Sequence, residues 1–163
     1  MNTWLSIVIV SWNVAPLLRQ CLLSIANAPR VARAEEGALH QPEGPFHVVV
    51  VDNPSSDGPV AKFRGEFPWV ELLASEVNLG FTAGNNLGLR RCRGRYLFLL
   101  NPDTRLASEQ DADPLGEMTA FMEAHPHVGI LGPRLVYGDG SPQPSRRRFP
   151  TLAMALMEST LLE

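Results

Sequence analysis

Cysteine is scarce in this chain: Cys21 and Cys92 are the two in 163 residues. Each lies in an apolar, helix-like pattern. They read as buried thiols in a reducing compartment, which excludes a disulfide framework. The four histidines, His40, His47, His125 and His127, make no metal-ligand spacing with either cysteine, so a structural zinc site is excluded too. Lysine is nearly absent and arginine supplies almost all the basic side chains, a bias from which no function follows. Excess positive charge is also missing. The chain has 14 Lys+Arg against 17 Asp+Glu, a net charge of -3, so a partner in nucleic acid bound through a basic surface is not expected. No apolar run approaches the ~20 residues of a membrane span. The N-terminus has no charged n-region, and Leu5–Val10 is too short for a signal h-region. The expectation is a cytoplasmic protein without a transmembrane segment. Peripheral contact at the inner face of a membrane stays open. Two nucleotide signatures are absent as well. No G-x-G-x-x-G follows the first strand-like run and no G-K-[ST] occurs, which excludes a dinucleotide Rossmann site and a P-loop.

What is present fits one globular domain over residues 1–163. With 45% hydrophobic and 19% charged residues, a chain of this length buries a sizeable core. Leu5–Val10 and Val48–Val51 are continuous β-branched runs, the mark of strands buried on both faces. Helical spacing covers Ala15–Asn27, Val60–Glu66, Thr82–Cys92 and Leu115–Ala124. Further strands are expected at Val70–Ala74, Tyr96–Leu100 and Val128–Leu131, a hairpin turn at Gly138–Gly140, and an amphipathic helix over Thr151–Glu163. Strands alternating with helices predict an α/β fold with a mostly parallel sheet and helices on both faces. Residues 28–46 are too long for an ordinary connection and read as a surface insertion.

Polar residues collect where these strands end. The first ends in Ser11 and Asn13, the second in Asp52, and the strand at Tyr96–Leu100 in Asn101 and Asp103. In open parallel sheets, ligands bind beyond the carboxyl ends of the strands. Any one of these residues alone would read as a turn or helix cap; together they mark a site.

Four segments in order carry a specific resemblance: LSIVIVSWN (5–13), VVDNPSSDG (50–58), NLGFTAGNN (78–86) and LLNPDT (99–104). GPRL (132–135), DGS (139–141) and RRFPT (147–151) follow. The chain resembles the inverting family 2 glycosyltransferases of the GT-A fold, and within them the bacterial rhamnosyltransferase-like branch. The resemblance implies a GT-A, Rossmann-like sandwich that binds a dTDP- or UDP-sugar. It implies transfer of the sugar, with rhamnose from dTDP-rhamnose as the donor of that branch, to a polysaccharide or lipid-linked acceptor in cell-wall or polysaccharide biosynthesis.

The resemblance also assigns roles. Asp103 matches the last Asp of the D-x-D motif and would bind a divalent cation, Mg²⁺ or Mn²⁺, at the donor diphosphate. Asn101 stands where that motif has its first Asp, and brings no charge. Asp52 matches the residue that accepts a hydrogen bond from the ring N–H of uracil or thymine. Ser11 and Asn13 match the loop lining base and ribose, with Trp12 either beside the nucleotide or in the core. Gly80 and Gly84 would let the backbone approach the donor at a helix start, with Asn85 and Asn86 at its ribose or diphosphate. Arg146–Arg148 could meet the diphosphate, an acidic lipid carrier or a membrane surface, or be a solvated turn. Asp111 and Asp113 read as solvated.

The family's general base lies in a motif beyond Glu163, so no catalytic base is assigned and the domain is expected to be incomplete. The apolar face of Thr151–Glu163 would then be left exposed, with a homodimer through that helix as one consequence. Two other readings stand beside the glycosyltransferase. One is a non-catalytic GT-A-like binding or assembly module, which would differ by lacking turnover. The other is a sugar nucleotidyltransferase-like enzyme, which would want a basic glycine-rich loop where Ser11-Trp12-Asn13 stands.

Overall fold

A computed structural model describes residues 4–28, 46–56, 61–107, 113–145 and 151. The inner part of the 28–46 insertion, Asp111, Arg146–Arg148 and the helix expected after Thr151 lie outside these residues. Contacts divide the chain into two compact units, Met1–His127 and Val128–Glu163.

The first unit is built on a four-stranded parallel sheet. Its strands are β1 (Leu5–Ser11), β2 (Phe46–Asp52), β3 (Val70–Ala74) and β4 (Tyr96–Leu99), in the order β3-β2-β1-β4. The β-branched runs form the two central strands, where both faces are covered. Ile7, Ile9, Val48 and Val50 point to one face, while Val8, Val49 and Val51 point to the other; all are at most 2% exposed. Each such side chain contributes roughly 1.5–3 kcal/mol on full burial.

Helix α1 (Ala15–Ala26) covers the first face with Leu18, Cys21, Leu22 and Ile25, spaced as one helical stripe. Phe63 of α2 (Ala61–Glu66) and Leu115 of α4 (Pro114–Ala124) join the same core. Helix α3 (Gly80–Leu89) lies on the opposite face. There Gly88 faces the sheet so closely that a Cβ would stand 2.5 Å from a methyl of Val8 and 3.3 Å from one of Val51.

The main differences from the sequence reading fall at α3 and in the segment after α4. Helix α3 starts two residues earlier than Thr82 and stops at Leu89, not Cys92. Its end tightens: the amides of Arg91 and Cys92 reach carbonyls three residues back, at 2.9 and 3.1 Å. The strand expected at Val128–Leu131 is absent. That segment carries no strand pairing and leaves Ile130 93% exposed; Gly129 interrupts its apolar run.

The second unit holds the expected hairpin. Strand β5 (Leu135–Val136) pairs antiparallel with β6 (Pro142–Gln143), and Gly140 takes φ 83° in the turn. Asp139 accepts from the hydroxyl and amide of Ser141 at 2.6 and 2.9 Å. These two bonds hold its carboxyl below the usual carboxylate range.

Candidate functional site

The carboxyl ends of β1 and β2 are tied into one another. Ser11 sits opposite Asp52 in the register, and its carbonyl accepts the Asn53 amide at 2.9 Å. Asn13 adopts φ 53°, a left-handed geometry that Asn tolerates better than most residues. This places its Oδ1 to accept the Ser56 amide at 2.8 Å, while its own amide donates to Ser55 Oγ at 3.1 Å. Ser55 Oγ in turn donates to Asp52 Oδ1 at 2.9 Å. Asp52 is 7% exposed and Ser11 2%.

Asn53 was not singled out from the sequence, because Asp-Asn-Pro reads as turn chemistry. Its side chain is buried, and Oδ1 accepts the Leu79 amide at 3.0 Å. It therefore ties the end of β2 to the start of α3. Pro54 is the signal that was available: the residue before a proline is pushed away from helical geometry, which suits a side chain leaving a strand end.

At the start of α3, Asn78 Oδ1 accepts the Gly80 amide at 2.8 Å. Gly80 has φ 67°, and a Cβ on it would meet nothing within 4 Å, so glycine is needed there for backbone geometry. Gly84 has a different part from the expected one. It is buried against the sheet, where a Cβ would lie 2.9 Å from a Val10 methyl, and so it serves helix–sheet packing. Asn85 is buried and its side-chain Nδ2 donates to the Phe81 carbonyl at 2.9 Å. Asn86 is exposed one residue later. Neither Asn85 nor Asn86 lines the cleft described next.

The end of β4 is open. Asn101 and Asp103 are exposed, and the Asp103 carboxylate has no hydrogen-bond or ion-pair partner among the described residues. They line a cleft of about 430 Å³ with Ser11, Trp12, Asn53 and Gly80; Asn78 and Phe81 also reach it. Trp12, 55% exposed, and Phe81, 64% exposed, give this polar cleft an aromatic rim and settle Trp12 as a rim residue rather than a core one. Asp52 stands one position behind the lining, under Ser55. Asp113 is an N-cap rather than a solvated charge, its Oδ1 accepting the Gly116 amide at 3.0 Å.

No group of three or more His, Cys, Asp or Glu comes together to hold a metal among the described residues. The donor set still fits a hard cation. An unpartnered, exposed carboxylate with a carboxamide two residues away leaves the remaining positions for phosphate oxygens and water, as Mg²⁺ and Mn²⁺ prefer.

Cys21 lies beneath this loop, its Sγ 3.8 Å from the Asn101 carbonyl oxygen. Burial pushes its thiol up to about 12, against a smaller lowering by the Thr104 side chain; the charge of Asp103 adds a little. The thiol stays protonated and a donor at any physiological pH.

A run of basic residues, not singled out from the sequence, lies between α3 and β4. Arg90, Arg91, Arg93 and Arg95 follow α3. Arg91 approaches Glu71 at 3.8 Å and Arg95 pairs with Glu123 at 3.0 Å.

Known proteins place this architecture. An N-acetylglucosaminyl-diphospho-decaprenol L-rhamnosyltransferase of Mycobacterium tuberculosis is 26% identical over 99% of this chain and 50% of its own length. The chain thus spans about half the length of that relative. Among solved structures, S. aureus TarS 1-349 in complex with UDP matches 76% of this chain and 33% of its own, at TM-score 0.56 and 22% identity. The mannosyltransferase PcManGT from Pyrobaculum calidifontis, in complex with GDP-Man and Mn²⁺, matches 66% of this chain and 30% of its own, at TM-score 0.50 and 21% identity. Both share the GT-A arrangement of a mostly parallel sheet between helices. The Glycosyl transferase family 2 model matches residues 6–161, and the chain belongs to that family.

Proposed function

We propose that the carboxyl edge of the sheet binds a pyrimidine nucleoside-diphosphate sugar, and that the whole protein transfers the sugar with inversion to a lipid-linked or polysaccharide acceptor. Rhamnose from dTDP-rhamnose is the donor we favour, because the relative that matches 99% of this chain is a rhamnosyltransferase acting on a lipid-linked sugar. The single observation that carries the donor site is the unpartnered Asp103 carboxylate, set in the same cleft as the β1 and β2 ends.

In this reading the β1–β2 end takes the base. Ser11 and Asn13 shape its loop, and Asp52 accepts the N3–H of uracil or thymine. The diphosphate lies toward Gly80, Asn101 and Asp103. Asp103 would hold a divalent cation, Asn101 would assist through its carboxamide, and the cation when bound would offset the charge growing on the leaving diphosphate. The solved relatives bound to UDP and to GDP-Man with Mn²⁺ support a nucleotide and a metal at such a fold. Asn85 and Asn86 lie too far into α3 for us to give them a ligand contact.

A nucleotide panel tests this reading. Calorimetric titration with dTDP, UDP and CDP in Mn²⁺ should show dTDP and UDP binding about tenfold more tightly than CDP, since cytosine would leave Asp52 without its donor. Equal affinity for all three would remove Asp52 from base recognition. No binding of any would overturn the donor site.

A further inference from the structure

Among the described residues the side chain of Asp103 makes no bond that would hold it at the cleft, so its position depends on the backbone of its loop. That loop leaves the sheet after Leu100, whose amide makes the last ladder bond, to the Val8 carbonyl at 2.9 Å. Beyond it the chain is gripped by α1. On one side of Asp103, the Asn101 carbonyl accepts Thr104 Oγ1 at 2.6 Å, the Thr104 amide at 3.2 Å and Cys21 Sγ at 3.8 Å. On the other side, the Leu106 amide donates to Ser24 Oγ at 3.0 Å. Between these, the Arg105 guanidinium donates to Gln20 Oε1. Gln20, Cys21 and Ser24 fall at i, i+1 and i+4 of one helix, so a single stripe of α1 meets the whole loop.

Ser24 is the informative member. Serine inside a helix is neutral to unfavourable, because its hydroxyl turns back onto the helix's own carbonyls. Ser24 does so, donating to the Cys21 carbonyl at 2.7 Å. That bond aims the oxygen lone pairs at the Leu106 amide, 82 residues away in sequence. We propose that Ser24 is a positioning residue for Asp103: its hydroxyl pins the Leu106 amide to α1 and so keeps the carboxylate where a donor diphosphate and its cation would meet it. The inference rests on the donor-site reading above and deepens it by naming what holds the charged end in place.

The test measures UDP affinity with and without Mn²⁺ for the wild type, Ser24→Ala, Ser24→Thr and Asp103→Ala. Ser24→Ala should weaken Mn²⁺-dependent binding about fivefold, the size of one net hydrogen bond, and leave metal-free binding unchanged. Ser24→Thr keeps the hydroxyl and should stay within about twofold of the wild type. Amide hydrogen exchange should show loss of protection at Leu106 in Ser24→Ala with the β1 amides unchanged. An equal loss with and without Mn²⁺ would make Ser24 merely structural and overturn the role. So would Ser24→Ala binding like the wild type while Asp103→Ala does not. Absence of Mn²⁺-dependent binding in the wild type would overturn the reading of Asp103 and this role with it.

Discussion

The two ends of the candidate site are built on opposite principles. At the β1–β2 end the side-chain oxygens of Asn13, Asp52, Asn53 and Ser55 are already engaged. Asn13, Ser55 and Asp52 form a chain of bonds, and Asn53 is spent on the start of α3. At the β4 end the backbone is pinned from α1, but the Asn101 and Asp103 side chains are left to solvent. The first end is rigid and nearly uncharged at its surface, which suits a flat, neutral base read by shape and one or two hydrogen bonds. The second offers a bare charge on a held backbone, which suits a cation and a diphosphate whose charge changes during reaction. Substitutions at the first end should therefore cost stability, and substitutions at the second should cost binding alone.

The sharpest break of that contrast is Asp103→Ala. Mn²⁺-dependent UDP affinity should fall by at least about a hundredfold, as expected when a metal ligand itself is removed. The denaturation midpoint should stay put, because an exposed, unpartnered side chain contributes within about 0.5 kcal/mol. Asn53→Ala should do the reverse, losing about 1–3 kcal/mol in urea denaturation because the Leu79 amide loses its acceptor in a part-buried place. Gly80→Ala tests the joint between the two ends. It should cost about 1 kcal/mol by the same measurement, from φ alone, since the space beside it is open.

A pH dependence is confined to the alkaline range. Cys21 has its thiol raised to about 12 in the folded chain from an ordinary value of 9.0. The unfolded chain releases that proton first, so the stability linked to it is fully present below pH 9 and is lost as pH rises from there toward 12. Cys92 shifts in the same direction, again through burial. Denaturation midpoints should be flat across neutral pH and decline in the alkaline range, and Cys21→Ala should reduce the slope of that decline.

The sheet was legible because its central strands are unbroken β-branched runs, and the β3 bounds of Val70–Ala74 came out as read. Helix α3 was less so: the resemblance gave Gly84 a part at the donor, while in the fold Gly84 lets the helix close on Val10, as Gly88 does on Val8. Asp103 was legible from its place after a strand within an ordered set of motifs. Asn53 and Ser24 were not. Their partners are backbone amides, which have no letter in the sequence, and for Asn53 and Ser24 those amides lie 26 and 82 residues away. Asn85 and Asn86 carried suggestive letters, but their place depends on where α3 begins, and that boundary was two residues off.

The proposed division between a pre-bonded base end and a charged diphosphate end is tested most directly by titrating uridine and UDP side by side, each with and without Mn²⁺. The account predicts that Mn²⁺ strengthens UDP binding and leaves uridine binding unchanged. Mn²⁺ strengthening both equally, or neither, would contradict it.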